Sequence, residues 1–207
     1  MCQPKQLYLP QFYIFLFLCY NTQPKGGVTV DTYLFLKKFL QEMDETFSYG
    51  WWDENNICHE ETMQNFHELY RTVSLEQAAT NHMGSCIEQS LYQREYFTYQ
   101  NLPTKLYVLI SEKQGGTDSD FRIHCFTLIF KDNLVYHFEH ASAHQRKGVY
   151  IYPNKERCFA KLKRQYNFDL TTDTKIYEID TIPTGLSLQE FKQYAEKKPL
   201  QKQLYII

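Results

Sequence analysis

The spacing of apolar residues changes along the chain, from a helical period in the first half to strand-like runs in the second. After Asp31, which can cap a helix, apolar residues recur with helical spacing and predict a helix that ends before Tyr49. These apolar residues are Leu34, Phe35, Phe39 and Leu40. Later apolar runs, bounded by turn residues, predict strands over 106–111, 122–130 and 134–140. Helices followed by strands indicate an α+β fold in which N-terminal helices pack on an antiparallel sheet.

Short capping motifs mark where several helices begin. In each motif a serine caps the helix, and a Glu or Gln three residues later reaches back to the backbone of that serine. The motifs are Ser74-Leu75-Glu76-Gln77, Ser85-Cys86-Ile87-Glu88 and Ser187-Leu188-Gln189-Glu190. The second motif makes Ser85 the N-cap and places Cys86 at the first position of a helix.

A cluster of helix- and strand-breaking residues, Gln23-Pro24-Lys25-Gly26-Gly27, divides the chain into an apolar N-terminal segment (1–27) and one domain (28–207). The apolar stretch 7–20 is too short to span a bilayer as a helix, which takes about 20 residues. It also lacks the basic start and small cleavage-site residues of a good signal peptide. A buried strand, a stretch upstream of the domain, a signal or an anchor stay open as interpretations. Membrane contact is expected only if residues 7–20 act as an anchor.

Composition and charge narrow the class of protein. With 207 residues, 43% of them apolar and 16% aromatic, the chain can form one packed domain with one active site. Its formal charge of −2 creates no field that attracts nucleic acid, so no nucleic-acid partner is expected. The six cysteines lack C-x-x-C spacing and are predicted to be separate thiols, which favours a cytoplasmic protein. A disulfide-containing protein that is secreted or membrane-anchored is the alternative.

Cys86 is the candidate nucleophile. A thiolate is the reactive form of cysteine, and the start of a helix stabilises negative charge through its unpaired N–H groups and its dipole. The same N–H groups can face the oxyanion that forms when a carbonyl is attacked. A buried, inert cysteine is the alternative interpretation.

His124 and Glu139 are the candidates for its base and for the acid that orients the base. His124 lies in the apolar run 123–130, and Glu139 lies near the end of the next predicted strand. The turn at Lys131-Asp132-Asn133 brings the start of one strand opposite the end of the other, about 5 Å away. A carboxylate there can fix the tautomer of the imidazole, which then takes the thiol proton.

The order of these motifs resembles the transglutaminase-like superfamily, which is related to papain. The resemblance rests on sequence motifs that are similar to those of a bacterial group of such proteins, and it extends over roughly 28–152. The motifs are Tyr49-Gly50-Trp51-Trp52-Asp53, Tyr70-Arg71-Thr72-Val73-Ser74, Gly84-Ser85-Cys86-Ile87-Glu88-Gln89, the run from His124 to Phe130, and Tyr136-His137-Phe138-Glu139-His140.

Carried over by position, the resemblance implies that Cys86 is the nucleophile, His124 the general base and Glu139 the orienting acid. Members of the superfamily more often have Asp at the third place, so Glu139 is a departure. The implied reaction is attack on an amide carbon to form a thioester. If water attacks the thioester, the protein is a peptidase or amidase. If an amine attacks it, the protein is a transglutaminase. The resemblance implies no cofactor and a protein or peptide substrate, and a catalytically inactive binding module on the same fold is the alternative.

Three further residues are weaker candidates for substrate binding. Trp51 and Trp52, in a predicted polar loop, can line a groove or donate an indole N–H. Ser85 is small and leaves room for a substrate carbonyl beside Cys86.

Metal sites are not expected. His137, His140 and His144 are close in sequence, but their spacing does not match a compact ligand set. The first two also point to opposite faces of a strand. The loop 53–56 lacks the mid-loop glycine and the closing glutamate of a calcium site.

Overall fold

The computed structural model describes residues 31–60, 62–113, 121–141, 146–167 and 172–201, and the N-terminal segment 1–27 lies outside them. Its helices are α1 Thr32–Thr46, α2 Phe66–Leu69, α3 Leu75–Asn81, α4 Cys86–Tyr99, α5 Lys155–Tyr166 and α6 Leu188–Glu196. Its strands are β1 Ser48–Asp53, β2 Cys58–Glu60, β3 Tyr70–Arg71, β4 Met83–Gly84, β5 Thr104–Lys113, β6 Phe121–Lys131, β7 Leu134–Glu139, β8 Gly148–Tyr152 and β9 Thr172–Ile179. The α+β class is therefore confirmed.

The main sheet has five antiparallel strands in the order β8-β7-β6-β5-β9. The predicted hairpin between β6 and β7 is present, and its turn residues Asp132 and Asn133 both have positive φ, at 53° and 59°. Asp and Asn tolerate this backbone region, which a two-residue hairpin requires. The pairing then continues from Lys131↔Leu134 to Thr127↔Phe138.

Helices cover both faces of this sheet. Alternate residues of β5 point to opposite faces. One set packs with α4 and α6, in a cluster that includes Leu106, Val108, Ile110, Ile87, Leu91 and Phe191. The other set packs with α5, in a cluster that includes Tyr107, Leu109, Phe126, Phe159 and Leu162. Helix α1 lies beside α4, where Phe39 contacts Phe97 and Phe138.

The polar loop predicted over 51–56 is wrong for its first half, because residues 51–53 belong to β1, whereas residues 54–56 do lie in the turn between β1 and β2. β1 pairs with β2 and β3 in antiparallel fashion and with β4 in parallel, through Ser48↔Met83 and Tyr49↔Gly84. Its last four residues are buried because it lies between these partners and the core. The pairing with β4 holds the chain just before Cys86.

Four of the cysteines lie among the described residues, and one of these differs from the prediction of separate thiols. Cys86, Cys125 and Cys158 are free, as predicted, and buried, whereas Cys58 is disulfide-bonded. Cys2 and Cys19 lie outside the described residues. Among the helices of the described residues, none is long and apolar enough to cross a membrane.

Candidate active site

Cys86 is the first residue of α4, as the capping motif predicts. The Ile87 N–H donates to Ser85 Oγ at 3.2 Å, and the Ser85 N–H donates to Glu88 Oε2 at 3.1 Å, so both halves of the capping box are formed. The N–H of Cys86 lies between these two groups and has no hydrogen-bond partner among the described residues. One backbone donor at the start of the helix is therefore left for a substrate oxygen.

A buried carboxylate anchors this helix start to the rest of the domain. Glu88 is 1% exposed and accepts hydrogen bonds from Tyr70 Oη at 2.5 Å and from Ser85 Oγ at 2.7 Å. The Val73 N–H lies 3.4 Å from the same carboxylate. Burial raises the pKa of Glu88, against the opposing effect of the Ser85 and Tyr70 hydrogen bonds. The strand-end segment 70–73 is thus joined to the helix that carries Cys86.

We expect Glu88→Leu to destabilise the domain by about 3 kcal/mol, because it leaves several buried donors without an acceptor. For a domain of this size that loss lowers Tm by roughly 6–12 °C, which thermal unfolding followed by circular dichroism measures. Tyr70→Phe removes a single donor and is expected to cost about 1–2 kcal/mol. Equal Tm values for Glu88→Leu and the parent would contradict the anchoring role.

His124 lies on β6 beyond the part of this strand that pairs with β7. β7 pairs with β6 only as far as Phe138, and beyond that point His124 is paired with Leu109 of β5. The ring stacks on Tyr166 of α5 at 5.0 Å and on Phe126 at 6.0 Å, and the side chain is buried. Packing on both elements holds the imidazole in one orientation.

Glu139, the last residue of β7, holds the ring from the other side. His124 Nε2 donates to Glu139 Oε2 at 2.6 Å, and both side chains are 5% exposed. Burial by itself lowers the pKa of His124. The negative charge of Glu139, its hydrogen bond to the ring and the nearby Cys86 outweigh that effect and raise the pKa well above its usual value.

These contacts bring the three predicted catalytic residues together. Because Glu139 occupies Nε2 of His124, Nδ1 is the nitrogen left to face Cys86. Cys86 is 9% exposed, so this residue lies at the edge of the core.

The strand alternation that was predicted around Glu139 is present. Glu139 faces His124, whereas His140 faces α4 and binds Gln89 at 2.6 Å. His137 shares the face of Glu139, and its Nε2 lies 3.7 Å from Glu139 Oε2. The contact between His140 and Gln89 was not predicted from the sequence.

Metal ligation is possible at one cluster of the described residues, where donor atoms of His124, His137 and Glu139 lie within 4.8 Å of one another. The 2.6 Å contact between His124 and Glu139 has the length of a charge-assisted hydrogen bond, so a metal would have to replace its proton. A cavity of about 30 Å³, enough for a water molecule, adjoins Glu139 and is lined in part by His137 and Tyr166. His144, of the histidine set considered from sequence, lies outside the described residues.

The three weaker substrate-binding candidates have other roles. Trp51 and Trp52 are 0% and 3% exposed, and the Trp51 indole N–H donates to the Thr62 carbonyl at 2.7 Å. Ser85 is 0% exposed, and its hydroxyl donates to Glu88 and accepts from the Ile87 N–H. All three side chains are therefore buried in this structure, and Trp51 and Ser85 have hydrogen-bond partners within the protein.

Tyr166 was missed by the sequence interpretation, although it covers the ring of His124. Its position follows from the packing of α5 on the sheet, and the Arg146 guanidinium lies 4.7 Å from the centre of its ring.

No protein-family model matches this sequence, and no curated protein is significantly similar to it.

Proposed function

We propose that this protein is a cysteine-dependent acyl-transfer enzyme with a transglutaminase-like, papain-related core. Cys86 is the nucleophile, His124 the general acid and base, and Glu139 the residue that orients and charges the imidazole. The substrate is an amide of a protein or peptide, and no cofactor takes part.

The observation that carries this proposal is the buried contact between His124 and Glu139, together with a Cys86 thiol close enough to raise the pKa of His124. The carboxylate at 2.6 Å holds a proton on Nε2 and leaves Nδ1 for the thiol. A structural histidine needs neither a buried carboxylate nor a thiol at a helix start on its other side. The three groups come from different elements, α4, β6 and β7, and Glu139 lies just past the point where β7 stops pairing with β6.

In the first half of the reaction, the Cys86 thiolate attacks the amide carbon, and the carbonyl oxygen becomes an oxyanion. The unpaired N–H of Cys86 donates to that oxygen. The tetrahedral intermediate then collapses, the C–N bond breaks, and the imidazolium gives its Nδ1 proton to the leaving amine. The products of this half are a thioester on Cys86 and neutral His124.

In the second half, a water or an amine attacks the thioester while His124 takes its proton. Collapse of this second intermediate breaks the C–S bond and restores the thiolate and imidazolium. Water gives a carboxylic acid, and an amine gives a new amide. Both outcomes use the same residues, so hydrolysis and transamidation are equally compatible with the site.

The test is the rate of Cys86 alkylation by iodoacetamide between pH 5 and 9, read by peptide mass spectrometry. An ordinary cysteine, with a pKa near 8.5, is only about 0.3% thiolate at pH 6. We expect fast alkylation of the parent at pH 6 and at least a tenfold loss in His124→Ala. Cys125 and Cys158, which are buried and free, serve as internal reference thiols.

Slow alkylation of Cys86 at pH 6 in both proteins would contradict the proposal and favour a non-catalytic binding module on this fold. A reactive parent justifies a search with peptide amides, in which an added primary amine separates transamidation from hydrolysis.

A further inference from the structure

A second histidine, His140, lies on the side of β7 opposite Glu139 and contacts the helix of the nucleophile. Neighbouring residues near a strand end face opposite ways, so Glu139 turns to His124 and His140 turns to α4. His140 is 5% exposed, and its Nδ1 lies 2.6 Å from Oε1 of Gln89, which is fully buried.

Gln89 uses its other amide atom to bind the chain just before Cys86. Its Nε2 donates to the Gly84 carbonyl at 2.8 Å. Because Nε2 is thereby the donor, Oε1 must be an acceptor, and the proton between Gln89 and His140 belongs to Nδ1 of the histidine. The amide therefore has a fixed orientation and His140 a fixed tautomer.

Gly84 allows the close packing that this arrangement needs. A Cβ at this position would lie 2.7 Å from Cβ of Glu88 and 3.4 Å from the backbone N of Gln89. The chain before Cys86 therefore lies directly against the first turn of α4. Gln89 joins these two segments to each other and to the strand end that carries Glu139.

On its outer side His140 lies near two charged groups, Asp44 and Lys147. Nε2 is 3.1 Å from Asp44 Oδ1, and the same oxygen binds the Lys147 ammonium. Burial foremost, and then Lys147, lower the pKa of His140 to about 4, against the opposing effect of the Asp44 carboxylate. The Nδ1–H that donates to Gln89 is present whether or not Nε2 carries a proton, which suits a structural link.

We infer that His140, acting through Gln89, is a positioning residue that sets the place of Cys86 relative to His124 and Glu139. This inference rests on the proposed function. The link spans a strand and a helix that are 51 residues apart, and it holds the nucleophile and the orienting acid at one spacing. Catalytic geometry is sensitive to such spacing, since a misplacement of about 1 Å can cost about 100-fold in rate.

Two substitutions of His140 distinguish the role of Nδ1 from that of Nε2. The side-chain nitrogen of asparagine lies as many bonds from Cβ as Nδ1 does, so His140→Asn keeps the donor to Gln89. The nitrogen of glutamine corresponds to Nε2, so His140→Gln keeps a group near Asp44 and loses the contact with Gln89. We expect His140→Gln to slow Cys86 alkylation at pH 6 by about tenfold or more, and His140→Asn to retain the profile of the parent.

A further variant and a measurement on the parent keep the inference testable if a His140 variant unfolds. Gln89→Met preserves size and removes both hydrogen bonds, so it should reproduce the loss, and adding His140→Gln to it should cause no further loss. In the unmodified protein, nitrogen-15 NMR should give the Nδ1–H tautomer for His140. The Nε2–H tautomer would overturn the inference without any variant.

The outcomes distinguish this inference from the proposed function. An unreactive Cys86 in the parent overturns the proposed function and the inference with it. A reactive parent with an unchanged pH profile in His140→Gln overturns the inference alone, as does an equal loss in the asparagine and glutamine variants.

Discussion

Glu139→Gln is expected to remove the reactivity of Cys86 below neutral pH. Glutamine has almost the same shape but no charge, and the charge of Glu139 opposes the burial that lowers the pKa of His124. Without it the ring becomes neutral, and no cation remains beside the thiol. We expect alkylation at pH 6 to fall by about 100-fold. With an acyl substrate the loss should approach about 10⁴, the cost of losing the orienting carboxylate in other triads.

The pH profile of the purified variants measures this effect, with Glu139→Asp and Glu178→Gln as comparisons. Aspartate keeps the charge but is shorter, so it should lengthen the 2.6 Å contact and give an intermediate rate. Glu178 binds Lys105 in a partly exposed ion pair away from the site, and its replacement should leave the profile unchanged. A Glu139→Gln profile that matches the parent would show that the carboxylate does not charge His124.

Local sequence signals predicted much of the fold because the interactions behind them are local. The capping box at Ser85 and that at Ser187 each form within four residues, and both appear in the structure. The hairpin turn needs only two residues that accept positive φ. The helix after Asp31 also forms as predicted, but its buried face is offset, and Leu34 is 63% exposed.

Interactions between distant parts of the chain could not be predicted in this way. The strand character of 48–53 depends on three partner strands, among them the parallel β4 at Met83–Gly84, where the sequence predicted only a helix end. The second neighbour of β5 is β9, more than fifty residues further along the chain. No capping or turn motif encodes either pairing.

In the candidate site, too, local features were predicted from the sequence and contacts between distant residues were not. Cys86 was found through its cap, and the facing of Glu139 and His140 follows from strand alternation. The links of Glu88 to Tyr70 and of Gln89 to His140 join residues 18 and 51 positions apart, and the sequence did not indicate them. In the structure α4 buries several polar residues that ordinary core helices leave in solvent: Glu88, Gln89, Ser90 and Gln93. Buried polar groups need partners, so this burial requires contacts with distant parts of the chain.

Two of the buried histidines around the site are expected to make the domain sensitive to acid. Burial lowers the pKa of His137 and of His140 to about 4, whereas a histidine in the unfolded chain titrates near 6.5. Between those values the unfolded state binds more protons, so the free energy of unfolding falls as the pH drops, by up to about 3 kcal/mol for each histidine. His124 does not add to this fall, because its raised pKa gives a stabilisation that is complete below about 6.5 and is lost only as the pH rises through the folded value.

His137→Phe tests this expectation at one of the two rings. Phenylalanine can keep the edge contact with Phe126 and the stacking on Tyr150, and it cannot take a proton. Urea unfolding, followed by the fluorescence of the buried tryptophans, should show a fall between pH 6.5 and 4 that is smaller than that of the parent by about 3 kcal/mol. Tyr150→Phe alters the same ring stack without removing a group that titrates in this range, and its fall should match the parent. If the falls of His137→Phe and the parent are equal, His137 is not held neutral in the folded state, and the site tolerates a second imidazolium beside His124.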